Sequence, residues 1–229
     1  MGKYIKGDVA LTGLHLKKLP EILKDLTIEG SIFLSGNQLT TLENFPELVT
    51  ENIMLGSNPL VSLKGIKQTA VSTLSIDNGK FSNLEGCPSH VNKLNIVGNS
   101  NLKSLKGLAP HLISLKIIGT PLQTMEYCNQ NIHGTYHLEF NLLKSLVGMP
   151  KQCRELKIGF NQLENFIGAP EVVLGDFQCY HNPILSLEGF PKYAKRVIIN
   201  NFMKDRELTR RDVARVCEAE EIVISVISV

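Results

Sequence analysis

The sequence predicts an α/β solenoid of right-handed turns. It should carry a single parallel sheet on one face, a mostly extended and turn-like return side, and a β-α-β cap at the C-terminus. Three observations predict it. An apolar anchor recurs nine times, at Leu19, Leu42, Leu63, Leu84, Leu105, Met125, Leu146, Phe166 and Leu187, with spacings between 20 and 23 residues. Ahead of each anchor lies a pair of apolar residues with one residue between them, the period of a strand that buries one face. Between pair and anchor, Asn returns at one position in five units. A fixed period of this length means that each unit buries its apolar face only against its neighbours.

In chain order, the first unit spans 7–23, because Val9 and Leu11 match Ile32 and Leu34 at an offset of 23. The later inward pairs are Ile53/Leu55, Leu74/Ile76, Leu94/Ile96, Leu115/Ile117, Tyr136/Leu138, Leu156/Ile158 and Phe177/Cys179, and Val197/Ile199 begins a tenth strand. Two residues past most anchors stands Gly, and four past them often Pro, as in Leu146, Gly148 and Pro150. Both residues disfavour a helix interior, so the return side should be extended. The repeats occupy residues 1–200. In the cap, residues 201–229 of the same domain, Thr209-Arg210-Arg211-Asp212 resembles a capping box ahead of a helix near 209–219. The apolar run after Glu221 predicts a final strand near 222–227, added parallel to the sheet.

A net charge of +2 on 229 residues is too small for electrostatic capture of nucleic acid or of an anionic membrane. Met1-Gly2-Lys3-Tyr4 leads into polar, repeat-like sequence, so neither a secretory leader nor a membrane span is expected. The five cysteines are odd in number and lack paired spacing, which points to a reducing compartment. Cys87, Cys128, Cys153 and Cys179 fill apolar slots of the repeat and read as small core residues. The six His residues show no metal-ligand spacing, and no phosphate-binding Gly loop occurs, so no metal and no cofactor are expected.

The segment from Cys153 to Leu163 fits the pattern L-x-x-L-x-L-x-x-N-x-L, with Cys153 and Ile158 in place of Leu, and Leu112 to Leu122 fits it again. Over roughly residues 7–200 the chain resembles the short-repeat leucine-rich-repeat proteins of bacterial and bacteriophage type. That resemblance implies a non-enzymatic, cytoplasmic module that binds a protein through its strand-bearing face, such as a bacteriophage product acting on a host protein. Short repeats also resemble the recognition half of bacterial effector ubiquitin ligases. Cys217, however, is followed by Glu218-Ala219-Glu220, without the C-x-D setting of their nucleophile.

The outward strand positions are the candidate partner-binding residues. They are Phe33, Met54, Lys93, Asn95, Lys116, His137, Glu139, Lys157, Gln178 and Tyr180. Phe33 and Met54 place apolar side chains where the repeat needs none, and the Lys/His/Glu group mixes charges, as protein interfaces do. The competing reading is a solvated polar face with two stray apolar residues. His137 and Glu139 share a face, but no nucleophile stands beside them. The Asn ladder Asn37, Asn58, Asn141, Asn161 and Asn182 is expected to be structural, pairing turn backbone that would otherwise be buried unsatisfied. An alternative function is a structural or homo-oligomeric scaffold that joins copies through the C-terminal strand.

Overall fold

The computed structural model describes residues 3–128, 134–200, 202–203 and 206–225. They form a parallel-strand solenoid with turns of about 21 residues, in two compact units, Met1–Lys116 and Ile117–Val229. The fold is leucine-rich-repeat-like: parallel strands, a tight turn after each that carries Asn in most units, and a return path almost without helix.

In the first unit the sheet runs through Val9–Ala10, Ile32–Phe33, Asn52–Met54, Ala70–Asp77, His90–Val97 and His111–Ile118. The register follows the repeat: Val9 pairs with Ile32, Ile32 with Ile53, Ile53 with Leu74, and Leu74 with Leu94. The inward residues Ile32, Ile53, Leu74 and Leu94 are fully buried, each burial being worth about 1.5–3 kcal/mol. Val9 and Leu11, in the first turn, stay half-buried, as expected of a terminal repeat that lacks a neighbour on one side. The return side is more ordered than the sequence suggests. Lys3–Lys6, Leu26–Glu29 and Leu48–Val49 form a second parallel sheet there. Lys3 aligns with Leu26, so the repeat register begins before residue 7.

The second unit continues the pattern with Thr135–His137, Glu155–Lys157, Val172–Gln178, Tyr193–Asn200 and Glu218–Ser225. Its core is more aromatic: Phe166, Phe177 and Phe190 meet edge to face at centroid separations of 5.7, 4.9 and 5.1 Å. The return turns stack backbone on backbone. A Cβ on Gly168 would lie 2.3 Å from the Val147 nitrogen, and φ there is 88°, so the recurrent Gly is required on both counts.

The cap helix runs Arg210–Ala214, shorter than the expected 209–219. The sheet ends it: the Glu218 N–H already donates to the Lys192 carbonyl at 2.8 Å, and the last strand starts there, ahead of residue 222. Residues 226–227 of the expected strand lie outside the described residues. That strand pairs parallel with Tyr193–Asn200 from Tyr193/Glu218 to Asn200/Ser225. Thr209 and Asp212 close a complete capping box, and the bonds from Thr209, helped by Arg206, hold the Asp212 carboxyl well below its ordinary range.

Most turns are closed by Asn. In the first unit, Asn37 accepts from the Leu16 N–H at 3.0 Å and donates to the Leu11 and Leu34 carbonyls, both at 2.8 Å. Asn58 repeats the scheme on Leu39, Leu34 and Leu55. In the second unit, Asn161 accepts from Leu143 and donates to Leu138 and Ile158, and Asn182 accepts from Leu163 and donates to Ile158 and Cys179. Asn141 accepts from both the N–H and the hydroxyl of Thr120. Asn200, which the sequence pattern does not single out, ends the row by accepting from the His181 N–H and donating to the Asn182 carbonyl.

Replacing Asn161 by Ala leaves several buried backbone groups without partners. It should cost about 1–3 kcal/mol in urea unfolding while far-UV circular dichroism stays parental. The cysteines give a second expectation. Burial pushes the Cys153 thiol up to about 12 and Cys179 well above its usual range. Alkylation at pH 8 should leave both unlabelled until the protein unfolds. Labelling as fast as in the unfolded chain would contradict their core position.

Candidate functional site

In the first unit, strand register sets Phe33, Met54, Ser75 and Asn95 side by side on the outward face. Phe33 and Met54 are register partners and both half-buried, so the apolar surface they offer is smaller than their identity suggests. Lys93 is exposed one position before the inward Leu94. Asp77 ends its strand beside Gly56, where a Cβ would lie 3.0 Å from its carboxylate. Burial raises the Asp77 pKa, and the charge of Lys116 opposes that rise. Lys116 itself is half-buried.

In the second unit the outward face consists of three aligned columns. The middle one is His137, Lys157, Gln178, Ile198 and Val223. Ile198 and Val223, both half-buried, are apolar members that the sequence reading missed. The signal was available, since they follow the inward Val197 and Ile222 at the same strand position. The column before it sets one cation among three acids: Glu155, Asp176, Arg196 and Glu221. Lys157 lies 3.1 Å from the Glu155 carboxylate, and Arg196 lies 3.9 Å from Asp176 and 3.5 Å from Glu221.

The third column holds Glu139, Gly159 and Tyr180. Glu139 stands on the outward side but is only 7% exposed, a correction to its expected place among solvent-facing residues. Two neighbours cover it. His137 Nε2 makes a short contact with one carboxylate oxygen, and the Tyr180 hydroxyl donates to the other at 2.5 Å. Tyr180 reaches Glu139 by lying across Gly159, where a Cβ would sit 2.8 Å from the Tyr180 ring and 3.1 Å from Glu139 Oε1. His137, Glu139 and Tyr180 are thus locked together through a residue without a side chain. Burial first, and then the bond to Glu139, pushes the Tyr180 pKa up to about 12.

Among the described residues, no group of three His, Cys, Asp or Glu side chains is placed to hold a metal ion, and no helix is long and apolar enough to cross a membrane. A tyrosine held protonated as firmly as Tyr180 is a poor base at neutral pH.

No family model matches the sequence, and a search of curated proteins finds no match. Among solved structures, the chain is similar to YopM from Yersinia enterocolitica WA-314. The alignment has 14% identity and a TM-score of 0.41, and covers 97% of this chain and 66% of that one. The fold assignment rests on the strand order, the register and the Asn-closed turns described above.

The Tyr180 environment is directly measurable. The difference between the alkaline absorbance titrations of the parent and of Tyr180→Phe should have its midpoint near 12. A free tyrosine ionises near about 10. Because the folded state holds this proton more tightly, the associated stability is intact below about 10 and declines as the pH rises through 12. Glu139→Gln should bring the midpoint down only part of the way, since burial is the larger cause.

Proposed function

We propose that the chain is a non-enzymatic protein-binding module, and that its partner docks on the outward strand face of the second unit. The observation that carries this reading is the aligned set His137, Lys157 and Gln178 with the Tyr180–Glu139–His137 network. These side chains do not hold the core together, yet hydrogen bonds and ion pairs fix several of them in one arrangement. A preordered surface loses little conformational entropy when a partner arrives. Half-buried apolar groups among charges of both signs suit a protein surface, whereas a phosphate backbone calls for uniform positive charge. In the first unit, Phe33, Met54, Lys93, Asn95 and Lys116 offer a second outward row of similar chemistry. The sequence resemblance extends the reading to a bacteriophage product acting on a host protein in a cytoplasm.

A second reading is favoured by one observation. Among the described residues Glu218–Ser225 is the last strand of its sheet, with no strand on one side. Such an edge can pair with another copy, making the chain a homo-oligomeric scaffold. Light scattering separates the two readings: a monomer at micromolar concentration supports the binder and a large assembly the scaffold.

The docking test uses a partner recovered from native lysate and then purified. Lys157→Glu should weaken its affinity about tenfold or more, roughly 1.4 kcal/mol, with the melting midpoint unchanged. Lys116→Glu and Met54→Ala will do the same if the first unit takes part. Parental affinity in all three variants would move the site to the turns or the cap.

A further inference from the structure

The turns that follow the strands of the second unit carry an aromatic row outside the three columns above. Phe140, Phe160 and His181 all adopt left-handed backbone, with φ of 56, 54 and 53°. Their rings stack in sequence: Phe140 on Phe160 at 4.2 Å and 10° between planes, and Phe160 on His181 at 4.2 Å and 14°. Tyr180 meets Phe160 edge-on at 5.5 Å, which joins this row to the Tyr180–Glu139–His137 network.

The row stops abruptly at Phe140. The Phe140 N–H donates to the Gly159 carbonyl at 3.2 Å and the Phe160 N–H to the Tyr180 carbonyl at 3.1 Å. One turn earlier the same bond runs from the Gly119 N–H to the Glu139 carbonyl at 3.4 Å. Gly119 therefore occupies the next place in the row and offers no ring. Phe140 remains 53% exposed, with Leu142, 38% exposed, close by in the chain.

Glycine takes a left-handed turn without strain, and Gly119 does so at φ 67°. The same place is left-handed in the other turns, where Gly36, Ser57, Asn78, Gly98 and Gly119 hold it, so what sets these three consecutive turns apart is the choice of ring-bearing residues for it. We propose that the outer face of Phe140, above Gly119, seats an aromatic side chain of the protein partner, which extends the stack by one ring. This rests on the protein-docking reading and adds the chemistry of the partner's anchor. The ring spacing and parallel planes already present define the shape of the seat, and offset stacking is how such rings pack. The neighbouring charges favour a protein over a stacked nucleobase. Lys157 and Arg196 are already matched by Glu155, Asp176 and Glu221, and the residue beside Phe140 is the carboxylate Glu139.

The test titrates the full, nitrogen-15-labelled chain with N-acetyl-L-tryptophanamide and, separately, with adenosine monophosphate. The chain contains no Trp, so the indole of the probe can also be followed by fluorescence. The tryptophanamide should shift the Gly119 and Phe140 amides saturably. Phe140→Ala and Phe140→Gly should abolish the shift, and the glycine variant, relieved of strain, should keep or raise the melting midpoint. Lys157→Glu should leave the shift intact. No saturable shift at Gly119, the same shift in Phe140→Gly, or tighter binding of the nucleotide would each overturn the proposal. The fragment needs no partner, so a silent titration removes the ring seat alone. Failure of the strand-face reading would appear instead as parental partner affinity in Lys157→Glu.

Discussion

Everything on the outward face depends on how the buried turns dispose of their backbone polar groups. A parallel strand of two or three residues that turns at once into the core leaves carbonyls without ladder partners. An orphaned buried carbonyl or N–H costs about 1–3 kcal/mol. Asn can answer both needs, since its amide donates twice and accepts at the oxygen. Asn161 takes carbonyls of its own turn and of the preceding one, so it joins neighbouring units in one register. Register in turn decides which side chains point outward, because a slip of one residue would exchange the two faces. The alignment of His137 with Lys157 and Gln178 is a consequence of that closure.

The ladder also shows where closure is imperfect. In the first unit, Gly79 takes the Asn position, and the following Asn99 turns inward. Its oxygen accepts from the N–H groups of Asn101 and Leu102, while its buried amide nitrogen has no hydrogen-bond partner among the described residues. A Cβ on Gly79 would lie 3.3 Å from that nitrogen, so the glycine and the inward Asn fit one another. The one-residue insertion after Asn99 explains the change, because the extra residue brings two local N–H groups within reach of the side chain. In the second unit Thr120 is rescued by the next Asn, whose oxygen takes both its N–H and its hydroxyl. The Asn99 turn thus leaves a buried polar atom unsatisfied where the Asn161 turn does not, and local opening should concentrate there.

Much of this was legible in the sequence. Solenoid periodicity, inward pairs and the Asn positions all follow from spacing, because each unit meets the same geometric demand. Less legible were features set by contacts between units at a distance of one turn. Glu139 reads as an outward acid, and only the absence of a side chain at Gly159 lets Tyr180 fold across to cover it. A glycine between two polar residues of one column was the available sign. The helix of the cap reads longer than it is, since Val216 and Cys217 keep helical spacing although the chain at Glu218 already belongs to the sheet. In the second small sheet the strand Lys3–Lys6 buries none of its four residues, and its backbone pairing with Leu26–Glu29 places it.

The aromatic row sharpens the distinction between what the fold needs and what it presents. A left-handed conformation costs an L-residue about 1–2 kcal/mol, so Phe140, Phe160 and His181 together carry roughly 3–6 kcal/mol of backbone strain. Two stacked ring pairs return about 0.5–1.5 kcal/mol each, and the edge contact of Tyr180 a similar amount. With the Tyr180–His181 edge contact the four ring contacts return about 2–6 kcal/mol before their buried apolar area is counted, comparable to the strain. Glycine at the same place in other turns, as at Gly36, Gly98 and Gly119, avoids the cost altogether. Three rings in succession beside the Tyr180–Glu139–His137 network present a flat aromatic face whose end, at Phe140, stays exposed.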